Sequence, residues 1–550
     1  MTFSEIVCFT KSGGPLTKRI YLTEDGLPKS DGSACVMSRG VAQRFEISGA
    51  ARLSCLLEQL HSTQAIALGT LRAGLPDKTE IATKRALNGS TRPDVIARTG
   101  ANIIYRPGQS AFALIDFDTK GMPAHVAARL DQLGGCWPAL LSIVPGLSTV
   151  ARVTRASTSA GLYRMDTGEM VPGSNGLHIY LAVRDGADAE RFLKTLHERC
   201  WLSGLGWMMI GAGGQLLERS IVDRMVGAPE RLVFEGAPIL EQPLAQDLKA
   251  RSPIVTEGDA LDTLTACPPL TVREKARLQE LRSKDAHRLA GDSARARAAF
   301  IDRQSQHLTA HTGISRQAAK NAIAKQCKGE LLPLIALPFD DPELEGKTVA
   351  DVLADPERFE GETLADPLEG IEYGCGKAKI MRRADGAPWI HSFAHGRAIY
   401  QLKLDASAVR AAIDAAAKEE VIPTLVRLAL QASMDPAELE DLIAHAKERT
   451  GRGIRAIART LKQARAEKAA EKANEEHNRR LAERRDPRPE LPAPDPDAPW
   501  LPEMAVYNDV LGQTRERVPP GRNIEGTMAV IKRVKIAGTH AFISSEENDQ

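Results

Sequence analysis

Apolar and polar positions alternate along the chain in a way that changes character twice. Residues 1–110 mix short pieces of both periods. "ARLSCLLEQL" has helical spacing, and "QAIALGTL" reads as a buried strand. Residues 111–240 are rich in strand patterns: "AFALIDFD", "TVARVTRA", "LHIYLAV" and "RLVFEG". "MPAHVAARLDQL" and "DAERFLKTLHERC" fall between some of these and predict helices. Strands interleaved with helices predict an α+β or α/β sheet domain. Near 245, "EQPLAQDLKARSP" reads as a domain exit, and 271–328 is helical throughout. A loop-rich stretch, 340–372, leads into a small β unit at 376–402, where "ADGAP" predicts a turn between two apolar runs. Residues 405–485 read as helices. "SMDPAELEDLI" supplies an N-cap, then proline and acids in the first turn. "RPELPAPDPDAPWLP" predicts an extended, proline-rich linker.

These shifts divide the 550 residues into 1–245, a sheet domain; 246–335, a basic helical domain; 336–404, an acidic loop-rich and small β region; 405–485, a basic helical region; 486–502, the linker; and 503–550, a C-terminal tail. The predicted class is α+β.

Composition alters this picture little. Hydrophobic residues make up 43% and charged residues 26%, as in ordinary globular proteins, while aromatics at 4% leave the cores to Ala, Leu, Ile and Val. Net charge is +1, but its distribution is uneven. Segment 271–328 carries 13 Lys/Arg against 5 Asp/Glu (+8), 340–372 carries 2 against 12 (−10), and 452–485 carries 11 against 5 (+6). The basic segments are candidate nucleic-acid surfaces, 271–328 foremost because it follows the sheet domain. "GISRQAAKNAIAKQ" within it has the look of a small helix-turn-helix piece. None of the eight cysteines forms a CxxC pair, so neither a zinc ribbon nor a disulfide framework is expected, and a reducing cytoplasm is. No run of about 18 apolar residues predicts a membrane span.

The chemistry starts with "LIDFD". On a strand, Leu114, Asp116 and Asp118 share one face and Ala113, Ile115 and Phe117 the other, so one face packs a core and the opposite face projects two carboxylates. Two adjacent anions resist ionising together unless a cation sits between them, and oxygen-only ligands favour Mg²⁺ or Mn²⁺ over zinc. Alone, the pair reads more readily as a solvated strand end, with "DTKG" as a turn. Two later stretches add to it. In "GSNGLHIYLAV" a glycine turn feeds a strand that places His178 at its mouth. In "ERSIVDRMVGAPERLVFEG", Asp223 follows an apolar pair among Arg219, Arg224 and Arg231. Together they fit nucleotidyl transfer, in which two metals about 3.5–4 Å apart stabilise the attacking and leaving oxygens. Asp116, Asp118 and Asp223 would hold the ions; His178, turn N–H groups and nearby arginines would take the pyrophosphate.

The order DxD, turn–His–strand, then hydrophobic–Asp resembles the archaeo-eukaryotic primase superfamily, in particular the primase-polymerases of plasmids, prophages and integrated elements. The resemblance covers roughly residues 40–245. It implies a catalytic core with an RNA-recognition-like sheet beside an N-terminal αβ module, with mostly helical C-terminal regions following. It places the family's first motif on Asp116 and Asp118, its second on His178 and its third on Asp223. The family's second motif is often Ser-x-His, whereas here Leu177 precedes His178 and Ser174 lies four residues before it. Ser174, Arg155, Ser157 and Arg231 are further candidates for nucleotide contact. The implied activity is a DNA primase-polymerase using two Mg²⁺ or Mn²⁺ ions, nucleoside triphosphates and a single-stranded DNA template, in the replication of a mobile element. The alternative is a non-catalytic replication-initiation or nucleic-acid-binding protein on a degenerate core. The chain has no GxxxxGK[ST], so a separate helicase is expected. Downstream, "PWIHSFAHGRAIYQL" holds His391 and His395 four apart, in surroundings that suit a structural or nucleic-acid-contacting role better than a metal site.

Overall fold

The computed structural model describes residues 4–484, apart from 88–91, 93, 120, 172–175, 384 and 394–398. Ser174, His395, the linker and the tail therefore lie outside the described residues. The chain is mixed α+β. It divides into a compact unit over 1–442 and a second over 443–550. The described part of the second unit comprises the end of the helix Pro436–Thr450 and the helix Ile454–Arg484. Asp435 caps the first of these, accepting from the Glu438 amide at 2.8 Å.

The first unit opens with a five-stranded sheet ordered 64–67, 4–11, 40–47, 78–81, 95–96. Period-two alternation gives it two buried faces. Val7 and Phe9 enter one core with Leu16 and Ala42, while Ile6 and Cys8 enter another with Leu53 and Leu57 of the helix Ala50–Gln59. That second core is shared with the central sheet.

The central sheet is built from β1 (Ala111–Phe117), β2 (Arg152–Ala156) and β3 (Leu177–Val183), in the order β1-β3-β2, all antiparallel. Helices Ala124–Gln132 and Cys136–Ile143 connect β1 to β2, and α1 (Ala189–Leu202) follows β3. Phe192, Leu193 and Leu196 of α1 are fully buried against the sheet. Next comes a hairpin that the hydrophobic pattern does not announce, β4 (Gly206–Ile210) and β5 (Leu216–Ser220). "RLVFEG", read as a strand, makes only a single bridge, Val233 to Ile66, with hydrogen bonds of 2.8 and 3.1 Å. Nor does the chain leave the sheet at 245: Leu244–Gln246 pairs with Leu162–Arg164, and β6 (Ile254–Thr256) adds a fourth strand beside β2.

Segment 271–328 is two helices, α2 (Val272–Thr312) and α3 (Arg316–Cys327). Thr271 and Glu274 form a capping box at the start of α2, and Gly313 ends it in the left-handed conformation. This 41-residue helix docks across the hairpin. Asp285 accepts from the Met208 amide at 2.7 Å, and Ser293 and Arg297 donate to the Gly214 carbonyl at 2.6 and 3.1 Å. Gly214 has φ +71°, and a Cβ there would lie 2.5 Å from the Ser293 carbonyl, so both conformation and contact demand glycine.

The small β unit is a five-stranded sheet ordered 330–331, 399–402, 388–392, 378–382, 363–364. Its three longer strands are β7 (Ala378–Arg382), β8 (Pro388–Ser392) and β9 (Ile399–Leu402), with "ADGAP" between β7 and β8 as expected. One face packs Ile380, Ile390 and Tyr400 on Phe300 of α2 and Ile323 of α3. None of the eight cysteines is in a disulfide, and no helix among the described residues is long and apolar enough to cross a membrane.

Because Phe192 sits fully buried under the central sheet, Phe192→Ala is expected to lower stability by about 3–5 kcal/mol, read as a reduced urea midpoint.

Candidate active site

The central sheet is covered on both sides. Ala111 to Ile115 and Phe117 are buried, so β1 has no open face, contrary to the expected division into a core face and an open one. Only Asp116 and Asp118, at its C-terminal end, are half-buried. Register sets a row across three strands: Asp116 opposite His178, and His178 opposite Arg155. Asp223 arrives from the other side, its amide donating to the Asp116 carbonyl at 3.1 Å. Its carboxylate caps the turn Arg224–Val226, accepting from the Met225 amide at 2.8 Å. Asp116, Asp118 and Asp223 thus line one cleft, whose far wall is the hairpin with Arg219 and Ser220.

Under the row lies a carboxylate to which the sequence reading gave no role. Glu235 is fully buried. One of its oxygens meets His178 Nδ1 at 2.5 Å and accepts from the Tyr180 hydroxyl at 2.6 Å. The other accepts from Arg155 at 3.1 Å and Arg251 at 3.3 Å. Burial alone would raise its affinity for a proton, but the charge and hydrogen bond of His178, with Arg155 and Tyr180, hold it down at about 2. Burial opposes the charged form of His178 too, yet Glu235 and Asp116 outweigh it and its pKa is raised. With Nδ1 engaged, Nε2 points to Asp116 Oδ1, 3.8 Å away.

Arg155 is consequently no nucleotide contact. It is buried and further committed to the Leu57 and Arg251 carbonyls at 2.8 and 2.9 Å. Ser157 lies at the mouth of β2, its amide bonded to the Gly176 carbonyl at 2.9 Å and its hydroxyl 3.3 Å from that of Ser159. Arg231 lies within electrostatic reach of Lys377, as do Lys18 and the cleft residue Arg219. Lys377, half-buried, has its proton affinity lowered first by burial, then by Arg231, with Lys18 and Arg219 adding to this and Asp223 opposing. The Lys377 ammonium lies 5.8 Å from the Tyr373 ring centre, and Arg219 donates to the Tyr373 hydroxyl at 3.2 Å. Arg224 pairs instead with Glu218 at 3.3 Å, as do Arg282 of α2 and, at 3.0 Å, His197. Burial works against Glu218 as well, but these partners bring it to about 2.

The donor set suits a hard divalent cation. Asp116 has a raised pKa, first from burial and then from the charges of Asp223 and Asp118, against the pull of His178. Such mutual repulsion is what a shared cation relieves. Among the described residues no three His, Cys, Asp or Glu side chains converge on one point. Compared with protein-family models, curated proteins and solved structures, the chain finds no match in any of the three.

Replacing Glu235 strands two buried guanidinium groups. Glu235→Gln is expected to cost about 3–5 kcal/mol near pH 6. The depressed Glu235 contributes stability present above the usual 4.5 and lost as pH falls towards about 2. The raised His178 contributes stability present below the usual 6.5 and lost as pH rises through its folded value. The penalty read by urea unfolding should therefore be smaller at pH 3 than at pH 6; a penalty equal at both would remove the ionic assignment.

Proposed function

We propose that the chain is a metal-dependent primase-polymerase that works on single-stranded DNA. The observation that carries this reading is the meeting of Asp116 and Asp118 with Asp223, from segments over a hundred residues apart, in one cleft beside His178 and a group of cations. The connectivity supports it as well. Strand, helices, strand, strand, helix, with β3 lying between β1 and β2, follows the first five elements of the β-α-β-β-α-β split βαβ unit used by RNA-recognition sheets; the hairpin comes next, and the segment at Asp223 then meets β1 by one backbone hydrogen bond.

Asp116, Asp118 and Asp223 would hold two Mg²⁺ or Mn²⁺ ions. When bound, such ions stabilise the attacking 3′-hydroxyl and the leaving phosphate oxygens. His178, oriented by Glu235, presents Nε2 to the phosphates of an incoming nucleoside triphosphate. Lys18, Arg219, Arg231 and Lys377 offset the charge of the departing pyrophosphate. The exposed cations of α2 and α3 offer a backbone-binding surface for the template. Much of that surface is already engaged, however. Arg277, Arg288 and Arg295 pair with acids on α2 itself, and Arg316 and Lys320 with Asp302. A cytoplasmic setting, a role in mobile-element replication and a separate helicase complete the proposal. The second reading, a replication-initiation or DNA-binding protein without catalysis, is favoured by one fact: the carboxylates do not yet converge.

Incubation with a primer-free single-stranded template, labelled nucleotides and Mg²⁺ or Mn²⁺ decides between the two. Products of de novo synthesis are expected, and they should fall to background in Asp116→Ala/Asp118→Ala. Template binding without synthesis in the unaltered protein would establish the second reading instead.

A further inference from the structure

The sheet of β7, β8 and β9 has one covered face and one that carries a different kind of residue. Ala378, Ile380, Ile390, Ser392, Tyr400 and Leu402 are buried beneath it. Alternation places Trp389, His391 and Phe393 on the opposite face, along a single strand and its extension. Their rings form a continuous file: Trp389 to His391 is 5.7 Å between centres, His391 to Phe393 is 4.8 Å, and both are edge-to-face. Register sets Lys379 and Ile399 on either side of His391, and Met381 and Gln401 on either side of Trp389. Phe393 donates its amide to the Lys377 carbonyl at 2.7 Å, which continues the ladder by one pair. The file therefore ends beside the lysine whose ammonium is repelled by Arg231, Lys18 and Arg219 and attracted by Asp223.

We propose that this face is a platform for single-stranded DNA, on which Trp389, His391 and Phe393 stack bases while Lys379 and Lys377 meet phosphates and lead the strand to the cleft. In a chain with only 4% aromatic residues, three consecutive outward positions of one strand carry rings. The face positions Lys377, Lys379, Met381, Trp389, His391, Phe393, Ile399 and Gln401 include two lysines, and the carboxylate beside Gln401 on the edge strand, Glu330, accepts from the Ser433 hydroxyl at 2.5 Å. Rings in file beside lysines fit unpaired bases on a phosphate backbone, and stacking accepts any base because each has a π face. Continuity with the cleft through Lys377 gives the strand a destination. The inference rests on the functional reading above only in taking the polymer to be DNA.

The test is anisotropy of a labelled oligo-dT titrated with the full chain, without nucleotide or metal. Trp389→Ala is expected to weaken binding about tenfold or more, and Trp389→Phe to retain most of it. Lys379→Glu should weaken binding and make its log–log salt dependence shallower by about one unit. A duplex of equal length should bind less tightly, since paired bases cannot stack on the rings. Trp389→Ala and Lys379→Glu proteins that melt like the parent yet bind within twofold of it would overturn the platform. If Trp389→Ala fails to fold, Lys379→Glu and Phe393→Ala carry the decision by the same twofold criterion. A parent chain that binds through this face but makes no product without a primer would sink the catalytic reading and leave the platform standing.

Discussion

A single buried carboxylate holds the site together. Glu235 takes the imidazole of His178, the hydroxyl of Tyr180 and the guanidinium groups of Arg155 and Arg251, without any exposure of its own. An isolated ion in that position would be too costly to retain, and two guanidinium groups there would be worse. The cost is met only because all the partners arrive together, and they come from β2, β3, the segment after the Val233 bridge and the turn before β6. Satisfying Glu235 therefore fixes how these pieces meet. Arg155 extends the constraint further, since it also donates to the Leu57 carbonyl at the end of the helix Ala50–Gln59 and so ties the N-terminal sheet to the central one.

The cleft above that network is assembled in the same manner from remote parts. Its hairpin is gripped from two directions. From one side α2 contributes Asp285, Ser293 and Arg297, and Arg282 reaches Glu218. From the other, Glu369 accepts from the Ala212 amide at 3.2 Å and from Gln215, while Tyr373 accepts from Arg219. Glu369 is steadied in turn by Asp366, which takes its amide and that of Leu368 at 2.9 and 2.8 Å and the hydroxyls of Ser392 and Tyr400. The acidic segment 340–372 is thus not a solvated spacer throughout: two of its carboxylates hold the downstream sheet in contact with the cleft wall.

Local pattern and tertiary contact left different traces in the sequence. β1, β2, β3, α1 and the helix Ala124–Gln132 follow from periodicity because each buries a face that repeats at its own period. Asp116, Asp118, His178 and Asp223 stand out because charged or polar groups at the ends of apolar runs need a reason. The hairpin escaped because "GWMMIGAGGQLLERS" alternates poorly; its hold comes from α2, not from its own pattern. "RLVFEG" looked like a strand because β-branched and aromatic residues fit one, yet its apolar side chains fill gaps between two sheets and its backbone pairs only at Val233. Arg155 was a candidate ligand contact because "TRASTSAGLY" resembles the strand and loop that lead into the family's site. Nothing local says that Glu235, eighty residues on, will bury it.

Lys18 and Lys377 were illegible for the same reason on a larger scale. Neither lies in a motif, and 359 positions separate them, yet both act on Asp223 or Asp116 through space. A cluster of single cations on several elements has no sequence signature, unlike a P-loop, whose donors are consecutive amides. What distinguishes it is energetic. The charges of Arg231, Lys18 and Arg219 act on the half-buried Lys377, and those of Asp223 and Asp118 on Asp116. Like charges held in two opposed groups across one cleft destabilise the fold unless each group meets its complement: metal ions for the carboxylates, phosphates for the cations. A nucleoside triphosphate with its divalent ions supplies both at once, which is why the electrostatics of the cleft, more than any one residue in it, argues for that class of ligand.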